Sequence, residues 1–381
     1  MGLRVAAVDR NADAPGLKEA DIAKVVDFSD VAAVLKATSR LSIDGVLTVS
    51  ADRAVPVVAA VAEARGLPGI GIDTAHLMTH KVAMRRRLAD AGVPQPRFAA
   101  VRTLSETRRA AAEVGFPAVL KPADSGGQRG VFRVESLDDV DRHLHEALAA
   151  STSGEAILEE FVDGTEMNGI VIARAGEQIL LTLSDRMRPP GIGFGVGWIH
   201  VYPPTIPPEQ LSLSEQVAER TVHALGLRTG IAFPQLLAAP DGRVVVVECA
   251  ARIPGGQMAD LVRWAVGVDL VEVQIRIALG DELPDELVRP KFAQPLAIRF
   301  FTASPGPLPT GVVRRIGSLE KVLAFPGVVQ ADVYLQVGET IRPVRLDGDR
   351  RGYVIATGDT NLDALERAEA AATLLHVEVE S

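Results

Sequence analysis

An apolar run, Val244–Val247, ends on Glu248 and continues Cys-Ala-Ala-Arg-Ile-Pro-Gly-Gly to Gly256. If the run is a strand, side chains alternate, so Glu248, Ala250 and Arg252 share one face while Cys249 and Ala251 take the other. One wall then carries a carboxylate and a guanidinium. The preceding run, Ile231–Ala238, leads into Ala-Pro-Asp-Gly (239–242), a hairpin turn. With Asp241-Gly242 as a two-residue turn, Gln235 stands opposite Glu248. A four-residue loop also keeps them on one face, whereas a three-residue Pro-Asp-Gly loop with a bulge does not. A carboxylate and an amide oxygen on adjacent strands suit Mg²⁺ (or Mn²⁺), which takes one or two protein oxygens and completes its octahedron with phosphate and water. The same spacing also allows a plain surface ion pair between Glu248 and Arg252. Cys249 faces away from Glu248 and has no evident His partner, so it reads as a core thiol.

Three further stretches carry chemistry. Asp124-Ser125-Gly126-Gly127-Gln128-Arg129-Gly130 follows a strand that ends at Lys121. Glycines let backbone N–H groups approach phosphate oxygens, and Lys121 and Arg129 supply cations. No Gly-Lys-Ser/Thr follows, so this is not a Walker A loop, and a simple hairpin turn is the other reading. In Leu158–Glu166 (LEEFVDGTE), a strand offers Glu159, Glu160, Phe161 and Val162 to a flat base, and Glu166 comes seven residues after Glu159 for ribose hydroxyls. Exposed acids at a strand end are the alternative. Gly191–Gly197 (GIGFGVG) follows Arg-Pro-Pro rather than a strand and is not a dinucleotide fingerprint. It reads as a flexible segment beside a substrate pocket bordered by Arg188 and His200, although a lone histidine is more often structural.

The elements that position these residues follow from periodicity. Strands at Leu3–Val8, Lys24–Phe28 and Asp44–Ser50 alternate with helices at Val31–Ser39 and Arg53–Arg65, the βαβ rhythm of a parallel sheet. A helical region from Thr74 carries Lys81 and Arg85 to Gly92, where Gly-Val-Pro-Gln-Pro (92–96) stops it. Strands dominate from Ile157, with helices at Ser212–Leu225, Asp260–Leu279 and Asn361–Leu375. The expected units are 1–95, 96–156, 157–290 and 291–381, in an α/β and α+β multidomain chain. At 381 residues and 47% apolar content, the chain has material for two or three cores. A net charge of −9 argues against nucleic acid or an anionic membrane as partner, so any bound anion must be held by a few local cations. One cysteine excludes an internal disulfide framework, and no apolar run is long enough for a membrane span. The first residues do not read as a secretory leader, and a cytoplasmic protein is expected.

Taken in order, the helix with Lys81 and Met84-Arg85, FPAVLKPADSGGQRGV (116–131), LEEFVDG-x-E, the strand with Gln235, ECAAR and GVDLVEVQIRIALG (267–280) resemble the ATP-grasp superfamily. The likeness is greatest to its carboxylate–amine ligase branch, with biotin carboxylase and the carbamoyl phosphate synthetase large subunit further off. The resemblance implies an ATP-grasp fold, with residues 1–95 as a Rossmann-like domain and 96–156 as a lid subdomain, and ATP and Mg²⁺ as cofactors. Lys81 and Lys121 would touch phosphates under a mobile loop containing Ser125, Gly126, Gly127 and Arg129. Glu159, Glu160, Phe161 and Val162 would read adenine, Glu166 the ribose, and Gln235 and Glu248 the metal. Arg252 would stabilise an acyl phosphate or the attacked carboxylate.

In such enzymes a carboxylate attacks the γ-phosphorus of ATP, and an amine then displaces phosphate from the acyl phosphate. Three departures stand out: Ala250 where the family commonly has Asn, Gln235 where Glu is more frequent, and no opening βα unit ahead of LRVAAVDRN, as a displaced start or a truncation would produce. After Arg252, Ile-Pro-Gly-Gly replaces the Gln-Val-Glu-His of biotin carboxylases, which lowers the carboxylase reading. Its Gly255 and Gly256 N–H groups would instead face a substrate carboxylate. The expected protein is a ligase acting on a small carboxylate and an amine, with a homodimer expected from relatives. A carboxylase, a purine-pathway ligase or a weakly active nucleotide-binding protein are the alternatives.

Overall fold

The computed structural model describes residues 1–127, 129–192 and 194–380. Near the N-terminus Ala6–Asp9 (β1) and Ile22–Val25 (β2) pair in parallel, and helices Val31–Thr38 and Val55–Arg65 pack Val34, Val57 and Val61 beside them. Asp44–Ser50, expected as a third strand, is not one. Val46 still packs into this small core, but the backbone leaves for the loop after Arg252: Val49 bridges Ile253, and the Ser50 N–H donates to the Ile253 carbonyl at 2.9 Å.

Phe98–Val101 (β3), Ala118–Pro122 (β4), Phe132–Val134 (β5) and Ala156–Glu160 (β6) form an antiparallel sheet in the order β3-β6-β4-β5. Helices Leu104–Val114 and Leu137–Ala149, capped by Thr103 and Ser136, cover one face, where Leu120 and Leu158 are buried. Alternation turns their neighbours Lys121 and Glu159 to the opposite face. The strand Ile157–Val162 was expected to open the large unit. It closes this small sheet instead, because Leu158 belongs to its core and β6 pairs with both β3 and β4.

The largest sheet is antiparallel and eight-stranded. It contains Thr165–Arg174 (β7), Glu177–Met187 (β8), Ile199–Tyr202 (β9), Gly230–Ala238 (β10), Val244–Ala250 (β11) and Leu296–Phe300 (β12). With Gly311–Ile316 (β13), Val328–Val333 (β14), Thr340–Ile341 (β15), Gly352–Thr357 (β16) and Val377–Glu380 (β17) following in the chain, its order is β11-β10-β7-β8-β9-β12-β16-β14. Of the six strands after Pro290, expected as a separate unit, β12, β14 and β16 extend this sheet, while β13, β15 and β17 form a sheet of their own. The Ile199–Val201 backbone is buried, so both its edges need partners: β8 supplies one and β12 the other.

Helix Pro208–Ala224, with Met84 and Leu88 of helix Lys81–Asp90, covers one face of the sheet. Helices Met258–Val266 and Leu270–Leu279 cover Ile170, Phe233 and Phe300 on the other. The single helix expected over Asp260–Leu279 is two, since Gly267 turns left-handed (φ 75°) and Asp269 caps the second. Among the described residues no helix is long and apolar enough to cross a membrane.

Candidate active site

The wall expected from strand alternation is present, but it is built differently. Next to the turn, the Ala239 N–H donates to the Arg243 carbonyl and Leu236 faces Val246, which makes Pro240-Asp241-Gly242 a three-residue loop. That loop alone would part Gln235 from Glu248. A bulge at Val247 shifts the register by one, and Gln235 faces Glu248 after all. Gln235 also faces Asn168 on β7, with Nε2 at 3.4 Å from Asn168 Oδ1. Asn168 in turn faces Ser184 on β8, and its Nδ2 lies 3.5 Å from His200 Nδ1 on β9. A polar row of Glu248, Gln235, Asn168, Ser184 and His200 thus crosses five strands of an apolar sheet. Asn168 was not singled out from sequence. Its signal is the two-residue step from Glu166, which puts both on one face.

Cations close the row from helix Lys81–Asp90 and the small sheet. Lys81 Nζ lies 3.3 Å from Glu248 Oε1 and donates to the Ser125 carbonyl at 2.9 Å. Lys121 Nζ is 2.6 Å from Glu159 Oε2, and Arg85 Nε is 2.8 Å from Glu159 Oε1. Glu159 is fully buried. Burial pushes its carboxyl up, but Arg85 and Lys121 overcome this and hold it at about 2. Burial lowers the Lys121 ammonium, with Glu159 opposing. Burial likewise pushes Glu248 up, while Lys81 and Lys121 draw it below the usual range. No Glu248–Arg252 pair forms; Arg252 Nε instead donates to Asp52 Oδ1 at 2.6 Å, from the N-terminal unit.

The glycine segment joins antiparallel β4 and β5, so it is a hairpin connection, but a long one. Its base is anchored: Asp124 accepts from the hydroxyls of Ser151 and Thr152 and from the N–H groups of Thr152 and Ser153. Ser125 Oγ is buried with no partner among the described residues. A Cβ at Gly126 would stand 2.9 Å from Asp52 Oδ2, Gly127 takes φ 68°, and Arg129 is exposed. Gln128 lies outside the described residues, as does Gly193 of the 191–197 segment.

Of the other residues expected at the base, Glu160 turns to Arg97 and Arg243, and Phe161 lies 4.2 Å below the Arg133 guanidinium. Val162 is buried against Ala239 and Val245. Glu166 is paired with Arg186 at 2.9 Å and Arg188 at 3.6 Å. These three line a cavity of about 540 Å³ with Asp185, Ile192 and Thr205.

At the His200 end of the polar row the loop after Arg252 forms a second wall. Gly255 approaches Ser50 of the N-terminal unit. Gly256 takes φ 69°, and a Cβ there would stand 3.3 Å from Arg350 Nη1 and 3.5 Å from His200 Nε2. Arg350 lies over the Phe300 ring at 4.3 Å and donates to the Gly197 carbonyl at 3.3 Å. His200 is buried; burial first, then Arg186 and Arg350, push its imidazole down to about 3, so it is neutral. Neither Arg350 nor Asp52 was found from sequence, because Asp52 opens one short 3₁₀ turn, Arg350 follows another, and neither sits in a motif. Cys249 is fully buried, as expected, and burial and Glu248 raise its thiol.

Among the described residues no three His, Cys, Asp or Glu side chains gather as a metal cluster. One carboxylate beside two amide oxygens fits a hard cation that keeps phosphate and water in its shell. The unpartnered Ser125 hydroxyl, in the residue whose carbonyl holds Lys81, fits a phosphate oxygen.

Comparison with known proteins places this geometry. Residues 80–286, more than half of the chain, match the family described as carbamoyl-phosphate synthase L chain, ATP binding domain, and residues 304–380 match L-amino acid ligase C-terminal domain 2. A formate-dependent phosphoribosylglycinamide formyltransferase of Ignicoccus hospitalis is 27% identical over 392 residues, covering 99% of this chain and 91% of its own. An L-arginine-specific L-amino acid ligase of Bacillus subtilis is 23% identical over 287 residues, 72% of this chain and 66% of its own. Among solved structures, an L-amino acid ligase from Bacillus licheniformis matches with a TM-score of 0.83 at 21% identity, covering 100% of this chain and 93% of that one.

Proposed function

The chain belongs to the ATP-grasp superfamily, in the family of the carbamoyl-phosphate synthase L chain ATP-binding domain, and from that premise we propose that it is an ATP- and Mg²⁺-dependent ligase joining a small carboxylate, foremost an amino acid, to an amine. The observation that carries this reading is that two walls meet at His200. Lys81, Lys121 and the Glu248–Gln235–Asn168 row form one, and Gly256 and Arg350, against the far nitrogen of His200, form the other. The first wall holds phosphates and metal; the second holds an acid. The metal, when bound, neutralises charge on the transferred phosphoryl group.

Lys81 and Lys121 hold phosphate oxygens while the 124–130 loop excludes water, and the Glu159–Val162 strand with Glu166 receives the nucleoside. Gly256 N–H and Arg350 orient the carboxylate, and Arg252, fixed by Asp52, faces the charge that develops on it. The carboxylate oxygen attacks the γ-phosphorus and ADP leaves. The amine nitrogen then attacks the acyl carbon, phosphate leaves, and the amine gives up a proton. An amino acid is favoured as the acid because the region resembling an L-amino acid ligase domain contains Arg350. The small sheet with its helices is proposed as the lid, and a cytoplasmic homodimer as the working form; limited proteolysis with and without Mg-ADP, cell fractionation and sedimentation velocity check these in turn.

A second reading rests on the likeness to formate-dependent phosphoribosylglycinamide formyltransferases across nearly the whole chain. One assay separates the two. ADP and phosphate release is measured with pooled amino acids plus amines, with formate plus phosphoribosylglycinamide, and with bicarbonate, each for wild type and Glu248→Ala. Turnover only with amino acid and amine, lost in the variant, is expected. Turnover only with formate or bicarbonate overturns the ligase assignment, and nucleotide binding without turnover in any arm identifies a binding protein.

A further inference from the structure

The bulge that brings Glu248 onto the Gln235 face has a physical owner. β11 is the edge strand of the large sheet, and its outer edge faces helix Lys81–Asp90 and the connector after it. On that edge Val246 N–H donates to the Pro94 carbonyl at 3.0 Å. Arg85 Nη1 donates to the Val246 carbonyl at 2.9 Å and Nη2 to the Val247 carbonyl at 2.6 Å. In a regular strand successive carbonyls point to opposite edges, so one guanidinium reaches both only where a bulge turns them to one side. The third arm of the same guanidinium, Nε, holds Glu159 of the small sheet. Gln95 buttresses it: Gln95 Oε1 accepts from Arg85 Nη1 at 3.5 Å, and Gln95 Nε2 donates to the Arg85 main-chain carbonyl at 2.8 Å. Arg85 is 1% exposed, and Lys81, one turn earlier on the same helix face, meets the Glu248 side chain.

We infer that Arg85 is a positioning residue that couples the two halves of the site: by clamping the Val246–Val247 bulge it sets Glu248 toward the metal, and by holding Glu159 it ties that setting to the base-reading strand. Without the bulge Val247 would face Gln235, and Glu248 would point away from it. A guanidinium is required, because only a planar fork satisfies two carbonyls and a carboxylate together; a lysine keeps the charge beside Glu159 but not the clamp. This inference rests on the family-level reading that nucleotide and Mg²⁺ bind here, not on which acid or amine is joined.

The test uses the full chain and reads binding rather than turnover. ADP affinity is measured by calorimetry with saturating Mg²⁺ and with EDTA, and the ratio of the two is the metal enhancement. In Arg85→Lys the enhancement falls roughly tenfold or more, as expected when the groups orienting a metal ligand are removed, while metal-free ADP affinity stays within about threefold. Gln95→Leu, which removes only the buttress, lowers the enhancement by about threefold and serves as the reading if Arg85→Lys does not fold. An enhancement equal to wild type in a folded Arg85→Lys, or in Gln95→Leu where the first variant does not fold, overturns the inference, as does a wild type whose ADP affinity ignores Mg²⁺. A metal enhancement that depends on Arg85, in a protein that makes no amide, sinks the ligase reading and leaves this one standing.

Discussion

His200 gives a prediction whose size and sign both come from the structure. Its ring is 3% exposed, touches Asn168, and sits among Arg186 and Arg350, so protonation in place is opposed by burial and by two cations. The folded imidazole titrates at about 3, against an ordinary 6.5 in the unfolded chain. The unfolded state therefore takes up the proton first. Stability is complete above pH 6.5 and is lost as pH falls from there toward 3. At pH 5 the unfolded histidine is 1.5 pH units below its pKa and the folded one is still neutral, a loss of about 2 kcal/mol at ~1.4 kcal/mol per unit. Urea unfolding of wild type and His200→Gln, followed by the fluorescence of Trp198 and Trp264, isolates this term, because every other titrating group is common to both. The wild type should lose about 2 kcal/mol more than the variant between pH 7 and pH 5. Equal losses in the two proteins, or an NMR titration of the His200 ring near 6.5 in the folded state, would refute the reasoning.

Glu248→Gln removes the one carboxylate of the polar row, and the Mg²⁺ concentration for half-maximal ADP binding should rise by roughly tenfold or more; an unchanged metal dependence removes Glu248 from the site. Gly256→Ala introduces a Cβ at 3.3 Å from Arg350 Nη1 on a left-handed backbone, so KM for the acid should rise about tenfold with KM for ATP unaltered; equal effects on both substrates would place Gly256 outside the acid subsite. Cys249 is buried with its thiol raised, so iodoacetamide should leave the native protein unmodified and alkylate it only in urea, as mass spectrometry will show. Glu159→Gln abolishes a pairing that lowers the carboxyl from 4.5 to about 2, worth ~3 kcal/mol above pH 4.5 and lost between pH 4.5 and 2; its absence should flatten the acid limb of the stability profile there.

What was legible in the chain was short-range. The period of two in Glu248-Cys249-Ala250 sorted a core thiol from the carboxylate that meets Lys81, and the glycine segment, Lys121 and the strand with Glu159 were each recognisable within a dozen residues. The facing of Gln235 and Glu248 was anticipated through a turn the protein does not use. The real turn would have parted them, and the compensating bulge is held by Arg85 and Pro94, some 150 residues earlier, where no local pattern of β11 could announce it. Arg350 and Asp52 were hidden for the same reason: their meaning lies in Gly256 and Arg252, brought to them by the fold. The sheet membership of β6 and β12 was equally out of reach, because alternation says that a strand has a buried face but not which neighbour completes its ladder.

The charge arrangement resolves how a chain with a net charge of −9 can receive a polyphosphate. Away from the cleft, arginines pair with neighbouring carboxylates, as with Arg174, Arg289 and Arg243. At the cleft the balance is inverted. Lys81, Lys121 and Arg85 are buried around only two carboxylates, Glu159 and Glu248, leaving one uncompensated positive charge where water is scarce. A divalent cation on Glu248, Gln235 and Asn168 would raise that excess to three, against the roughly four negative charges of a nucleoside triphosphate. Because field strength grows as the dielectric falls, this small enclosed excess outweighs the larger but solvated negative charge of the surface. Glu159 is what makes the enclosure tolerable in the absence of nucleotide, since without it Arg85 and Lys121 would be two like charges buried side by side.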